Sequence, residues 1–310
     1  MKTMHRPTYL FAMIVFMASC KSDSKLLQVK KLANYPSASA IEYFNDHYFI
    51  MGDDSRNLLV LNNELDPVDS VSLYSFTEKR MPKATKADIE AVTITAKKQL
   101  LLLGSGSLAP YRNGGWLIDP ATKRIDTLQL DTLYRRLQLA GLHVLNIEGA
   151  CSIQDRILLA NRGNYGWRNN HLVVLGTTFW KNQDSTAVSL IRLGSNSDST
   201  VFNGISGLAY APKSDRLLCT VSTEKTYSNT GDGVIGKSYL WIIKDISTKK
   251  RWLAINPDMI IDLEELDPGF AGQKIESVCV IKETKNALHL ALAADNDDGS
   301  STIFRIIIEY

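Results

Sequence analysis

The sequence predicts an all-β chain folded as a single β-propeller, with five blades and six as the alternative count. Three observations carry this reading. First, short stretches that open apolar strands read alike: Ile41-Glu42-Tyr43, Ile89-Glu90-Ala91-Val92, Ile147-Glu148-Gly149-Ala150 and Ile275-Glu276-Ser277-Val278, with Ile205-Ser206-Gly207-Leu208 keeping the pattern with Ser. Second, the Glu-or-Ser positions fall at 42, 90, 148, 206 and 276, so the spacings are 48, 58, 58 and 70 residues. Recurrence at about 40–60 residues with several strands per unit is the signature of a propeller. Third, the last unit ends one strand short, and an alternating strand precedes the first unit.

The chain opens on a targeting pattern. Lys2 and Arg6 precede an apolar run from Tyr9 to Ala18, too short to span a bilayer. Met17-Ala18-Ser19-Cys20 resembles a bacterial lipobox, with Met where Leu is usual. Residues 1–19 are therefore expected to be a lipoprotein signal peptide, Cys20 the acylated residue, and residues 20–25 a polar tether. Such tethers resemble those of Bacteroidetes-type surface lipoproteins. The expected location is the cell envelope, anchored by lipid to a bacterial membrane such as the outer one, facing periplasm or cell surface. Removing residues 1–19 takes away Lys2 and Arg6 and no acid, so the net charge of +2 falls to about zero. A neutral chain without a long basic run excludes nucleic acid as the expected partner.

Residues 26–310 form the propeller domain. Leu26 to Leu32 alternates and stands ready to pair with Thr302 to Ile308, which would close the ring and hide two sheet edges. In the first unit the strands are Ile41–Phe44, Tyr48–Met51, Leu58–Leu61 and Val68–Leu73. The second has Ile89–Ile94, Leu100–Leu103, Trp116–Ile118 and Arg124–Leu130, the last alternating as a half-exposed outer strand should. Leu130 to Leu137 reads as a short surface helix. The third unit has Ile147–Ile153, Arg156–Ala160, His171–Leu175 and Val188–Leu193; the fourth has Ile205–Tyr210, Arg216–Val221, Tyr239–Ile243 and Met259–Leu263. The fifth has Ile275–Ile281, Leu288–Ala293 and Thr302–Ile308. Cys151 and Cys279 occupy equivalent inner positions, and with Cys219 they read as packing residues rather than a disulfide framework.

In a propeller the start of each first strand and the end of each second strand open on one face. Glu42, Glu90, Glu148, Ser206 and Glu276 would meet there. Asp53, Asp54, Ser105, Ser107, Asn161, Arg162, Ser222, Asp295, Asn296 and Asp297 would join them from the second strands. Carboxylates crowded in a channel repel, so some hold protons or a cation sits among them. Oxygen-only donors suit Ca²⁺ or Mg²⁺ more than Zn²⁺, with Glu42, Glu90, Glu148, Glu276 and Asp295 as candidate ligands. Arg112 and Arg162 would either neutralise the ring or hold an anionic ligand. The competing reading is structural: each Glu accepts hydrogen bonds from backbone amides of the next blade.

The starts Glu148-Gly149, Ser206-Gly207 and Glu276-Ser277 resemble those of regucalcin- and gluconolactonase-type propellers, and Ile147-Glu148-Gly149 also resembles the phytase-associated esterase-like propellers of bacteria. The first resemblance implies a divalent cation held on the axis by residues that open inner strands. The chain carries more Glu and lacks an Asn or Asp pair at strand starts, so the likeness favours metal binding over lactonase chemistry. A divalent-cation-dependent hydrolase of small esters, phosphoesters or lactones is the first functional expectation: some of Glu90, Glu148 and Glu276 hold the cation, a spare carboxylate acts as base, Arg162 or Arg112 holds an anionic group, and Glu148, Arg162 and Arg112 are the candidate catalytic residues. A non-catalytic module that binds a small anionic molecule or a protein is the second. A monomer is expected. Sharper motifs fail. Gly104-Ser105-Gly106-Ser107-Leu108-Ala109 leads into Pro110 rather than a helix, and the acidic turn at Asp295 has Ile306 where a calcium loop needs Glu.

Overall fold

The computed structural model describes residues 24–194, 202–224, 235–249, 254–295 and 297–310. The stretch expected to be a signal peptide, Cys20, most of the expected tether and Asn296 lie outside the described residues. Five sheets form a ring, antiparallel but for one short parallel edge strand. The outer closing strand β1 is Lys25–Leu32. Blade I is β2 (Ala38–Phe44), β3 (His47–Gly52), β4 (Asn57–Leu61) and β5 (Pro67–Ser72). Blade II is β6 (Ile89–Ile94), β7 (Leu100–Gly104), β8 (Gly114–Ile118) and β9 (Ile125–Gln129), followed by α1 (Asp131–Leu139). Blade III is β10 (Ile147–Ile153), β11 (Arg156–Asn161), β12 (Asn170–Gly176) and β13 (Ser189–Leu193). Blade IV is β14 (Asn203–Ala211), β15 (Arg216–Glu224) and β16 (Ile235–Lys244), then β18 (Met259–Asp262), after the short β17 (Ala254–Ile255) and before α2 (Leu263–Leu266). Blade V is β19 (Lys274–Glu283), β20 (Ala287–Asp295) and β21 (Ser301–Glu309), completed by β1.

The closure follows the expected pairing. β1 runs antiparallel to β21 with Lys25 opposite Ile307 and Leu32 opposite Ser301. The long spacing between Ser206 and Glu276 hides no sixth blade. The chain leaves β16, adds β17 in parallel to the edge of blade III, returns as β18 and turns through α2.

The burial pattern explains why each sequence became its strand. β7 is apolar throughout because both its faces are covered by neighbouring blades. β5 and β9 lie outermost and keep mostly exposed or half-exposed residues. Five apolar clusters fill the five gaps between blades. Each fully buried Leu or Ile contributes roughly 1.5–3 kcal/mol, so these clusters hold the ring. α1 widens one of them with Leu133, Tyr134 and Leu137, and the Tyr134 hydroxyl donates to the Gly104 carbonyl at 2.6 Å. Cys151, Cys219 and Cys279 are free, buried thiols in the clusters, and burial pushes their thiol pKa values up.

Each inner strand carries a β-bulge near its start. The ladder skips one residue between Ala38 and Ala40, Ile89 and Ala91, Ile147 and Gly149, Ile205 and Gly207, and Ile275 and Ser277. The skipped residues are Ser39, Glu90, Glu148, Ser206 and Glu276. A bulge re-aims the extra residue's side chain. The next residue is always small, because adjacent inner strands nearly touch there. A Cβ at Gly207 would lie 2.4 Å from Thr220 Oγ1 and 2.7 Å from Ser277 Cα.

A candidate active site at the axial acidic mouth

The bulges correct one sequence-based assignment. Glu42 is not the blade I counterpart of Glu90, Glu148 and Glu276; Ser39 is. Glu42 sits three residues further along β2, in regular pairing with Phe49, toward the opposite mouth of the channel. It therefore cannot share a cation with the other candidates. The likeness of Ile41-Glu42-Tyr43 to the other starts misled because the Ala38-Ser39-Ala40 bulge has no charged residue. Ser39 and Ser206 serve the ring structurally. Their hydroxyls donate to the Ile89 and Ile275 carbonyls of the next blade, each at 2.6 Å.

At the three remaining bulges the Glu side chains gather on one mouth: after burial, the Glu148 charge adds to the upward shift of Glu90, and the Glu276 charge to that of Glu148. Asp53 and Asp54 follow the end of β3, and Asp295 ends β20 on the same face. Asp88, unforeseen, immediately precedes β6. It holds a left-handed backbone (φ 55°), which Asp tolerates better than most residues.

Cations thread this acidic ring. Lys86 donates to Asp53 and, at 2.7 Å, to Asp88 Oδ1. Arg112 Nη1 lies 2.7 Å from Asp88 Oδ2 and 2.8 Å from Ser107 Oγ, and Ser105 also donates to Asp88. Arg112 is thus buried beside Asp88 and neutralises it. Arg80 pairs with Asp54, and Lys274 Nζ lies 2.8 Å from Glu276 Oε1. Arg162 Nη1 is 3.7 Å from Glu148 Oε2, its Nη2 is 3.3 Å from Ser222 Oγ, and Asn146 donates to Glu148 from the other side. The guanidinium lies against Gly204, where a Cβ would fall 2.3 Å from its Nε. Gly204 is therefore the space that Arg162 occupies.

Among the described residues, seven carboxylates, Asp53, Asp54, Asp88, Glu90, Glu148, Glu276 and Asp295, face five cations, Arg80, Lys86, Arg112, Arg162 and Lys274. Burial raises Glu148 to about 8, with Arg162 pulling it down and Glu276 pushing it up. Burial likewise raises Asp295 to about 8 and Asp53 to about 6, and Glu90 stands well above the usual carboxylate range. Burial disfavours the Lys86 ammonium, but Asp53, Asp88 and Glu90 outweigh it and raise its pKa. Asp53 Oδ1, Asp54 Oδ1 and Glu276 Oε2 are buried without a hydrogen-bond partner among the described residues. Such oxygens call for a cation or a proton.

One subset has metal-ligand geometry. Asp53, Asp88 and Glu90 each offer an oxygen within 4.8 Å of the others. Of the ligands expected from sequence, only Glu90 belongs to it. Glu148 and Glu276 are engaged with Arg162 and Lys274, and Asp295 Oδ1 accepts from the Asp297 amide at 2.9 Å. The missed signal was the acid pair at i and i+2, Asp88-Ile89-Glu90. Lys86 lies on the connection between blades, where no periodicity marks it.

At the opposite mouth burial lifts Glu42 to about 7, while the amides of Tyr43 and Ile94 hold it down. Glu42 thus meets a backbone amide of the next blade, that of Ile94. A raised pKa means stability present below the unfolded value of 4.5 and lost as pH rises through 7. Glu42→Gln is therefore expected to be more stable than the parent at pH 8 by about 1–3 kcal/mol, with little difference at pH 4.5. Urea denaturation at both pH values checks this, and equal curves at pH 8 would refute it.

These features define a five-bladed β-propeller with an axial ring of buried acids and bases. The chain belongs to the family of unknown function DUF6929, whose model matches residues 34–308. No curated protein matches it. Among solved structures, it is similar to the glutaminyl cyclase of Myxococcus xanthus, with 10% identity over 93% of this chain and 97% of that one and a TM-score of 0.55. It is also similar to a protein of Bacteroides fragilis described as exported, with 8% identity, 94% and 95% coverage and a TM-score of 0.44. At 10% identity the likeness to the glutaminyl cyclase is one of fold.

Proposed function

We propose that this propeller is a lipid-anchored hydrolase of the bacterial envelope that acts on small anionic esters, phosphoesters or lactones with a Ca²⁺ or Mg²⁺ ion. The observation that carries it is the approach of Asp53, Asp88 and Glu90 within 4.8 Å, in a ring where carboxylates outnumber cations among the described residues. The all-oxygen donor set and the unpartnered Asp53 Oδ1 suit a hard cation. Bound there, the cation would supply Lewis acidity. Glu148, protonated to about pH 8, is placed to give a proton at neutral pH and regain it, and Arg162 beside it favours an anionic group. Cys20, the lipobox-like stretch and the resemblance to metal-holding propellers support the envelope and cation parts.

The test is elemental analysis and thermal unfolding of residues 20–310 after Ca²⁺ or Mg²⁺ is supplied. One ion per chain is expected, with about 2.7 kcal/mol of added stability at a hundred times the dissociation constant. Glu90→Gln should abolish both effects. A panel of nitrophenyl esters and phosphoesters then reads turnover. Absence of a bound ion at millimolar metal removes the cation-dependent reading.

A second reading, a non-catalytic module for a small anionic molecule or a protein, has its own support. The Lys86 ammonium already bridges Asp53 and Asp88, as a built-in substitute for a metal. Unchanged stability with metal, together with ligand capture at this face, would favour it.

A further inference from the structure

The ring closes around two mouths, and the second has a cavity of its own. It measures about 440 Å³ and is lined by the far ends of all five inner strands, from Phe44, Ile94, Ser152, Tyr210 and Ile281. That volume suits a small organic ligand. Glu42 faces this cavity from β2, and the aromatic residues Tyr43, Phe44 and Tyr210 contribute to its wall.

The polar groups around the cavity differ in what they have left to offer. Glu283 is consumed: its carboxylate accepts from the Lys213 and Ser214 amides at 3.1 and 3.0 Å and from the Ser214 hydroxyl at 2.9 Å. The Ser152 hydroxyl donates to the Ile94 carbonyl at 2.7 Å. The Tyr210 hydroxyl donates to Asp215 at 2.9 Å, and Tyr43 is bonded to Asn63 and Asp46. Glu42 accepts from the Tyr43 amide at 3.0 Å and faces the Ile94 amide, which leaves its carboxylate, with about four lone-pair positions, capacity for further donors. Lys213 and Lys282 stand exposed at the rim, too solvated to neutralise a carboxylate deeper in.

We propose that this cavity is a second binding site, separate from the acidic mouth, for a small organic ammonium ion. Its N–H donors meet Glu42 and its apolar body packs among Tyr43, Phe44 and Tyr210. An ammonium gains a charge-assisted hydrogen bond to the carboxylate and attraction to aromatic faces. The titratable groups around Glu42 are Tyr43, Cys151, Tyr210, Lys213, Lys282 and Glu283 on the cavity wall, and Cys279 behind it. Both thiols and both tyrosines are shifted upward, away from the pH 6–8 window in which the Glu42 carboxyl changes charge.

The probe is phenethylamine, titrated calorimetrically into the folded chain at pH 6 and pH 8, with 2-phenylethanol as the uncharged control. Binding should tighten about tenfold from pH 6 to pH 8, as a carboxyl near pH 7 ionises. Glu42→Gln should weaken binding at pH 8 at least tenfold and erase the pH dependence. Ala209→Trp fills the cavity from β14 and should abolish binding with Glu42 intact. Glu90→Gln, at the other mouth, should leave it unchanged. Equal affinity for the alcohol, or undiminished binding in Glu42→Gln or Ala209→Trp, overturns the proposal. So does the absence of binding by the parent chain at pH 8.

Discussion

Lys86→Met should lower the stability of the folded chain by about 3–5 kcal/mol at pH 8, the cost of leaving buried carboxylates without their cation. Lys86 touches both Asp53 and Asp88 and lies in the field of Glu90, so three acids lose compensation together. The loss should shrink toward pH 5. Asp53 and Glu90 already bind protons more tightly than exposed acids do, and removing the ammonium tightens them further. A folded chain that holds more protons than the unfolded one loses stability as pH rises through the folded pKa values, and the variant should show this more steeply. Denaturant curves at the two pH values measure both effects.

The same variant separates the two functional readings. With the ammonium gone, the oxygens of Asp53, Asp88 and Glu90 still converge. If this triad takes a divalent cation, millimolar Ca²⁺ or Mg²⁺ should restore most of the lost stability in Lys86→Met and add less to the parent, where Lys86 competes. If the triad is only a seat for Lys86, metal restores nothing. A loss below about 1 kcal/mol at pH 8 would show that the ammonium contributes no more than an exposed ion pair does.

What could be read from the sequence and what could not divide along physical lines. The ring, the blade number and the closing strand were legible because they depend on apolar periodicity and on a missing edge partner, both properties of local sequence. The gathering of Glu90, Glu148 and Glu276 was legible for the same reason: each sits one residue before a small residue at an inner-strand start. Glu42 was misplaced because periodicity of two cannot locate a bulge, and the blade I bulge carries Ser39, with nothing charged to mark it. Lys86 escaped because the connection from β5 to β6 has no pattern, and only folding carries it back across Asp53 and Asp88. Arg112 was noticed, but its role depended on Asp88, whose importance needs the left-handed turn that starts β6. Charge partnerships between blades are long-range facts, and one strand pattern does not encode them.

Removing β1 should have the largest effect of all. Without residues 24–32 the edge of β21 loses the partner that pairs with it from Ser301 to Ile307. Leu32 leaves its buried place in the cluster between blades V and I, and the Lys30–Asp66 contact at 2.6 Å that ties β1 to blade I is lost. An open ring keeps four complete blades but exposes a long apolar edge, which invites pairing between chains. The truncated chain should therefore lose its cooperative unfolding transition and aggregate, as read by calorimetry and light scattering. The control restores the strand at the other end. The Ser24 hydroxyl accepts the Glu309 amide at 2.9 Å, so Ser24 and the C-terminus already lie side by side. A short turn from Tyr310 into residues 24–32 would form a hairpin in the native register. Such a permuted chain should recover cooperative unfolding near the parent temperature. If it does not, while the parent does, closure depends on more than the β1–β21 ladder; if the truncated chain unfolds cooperatively unaided, the ring is held by the blade interfaces alone.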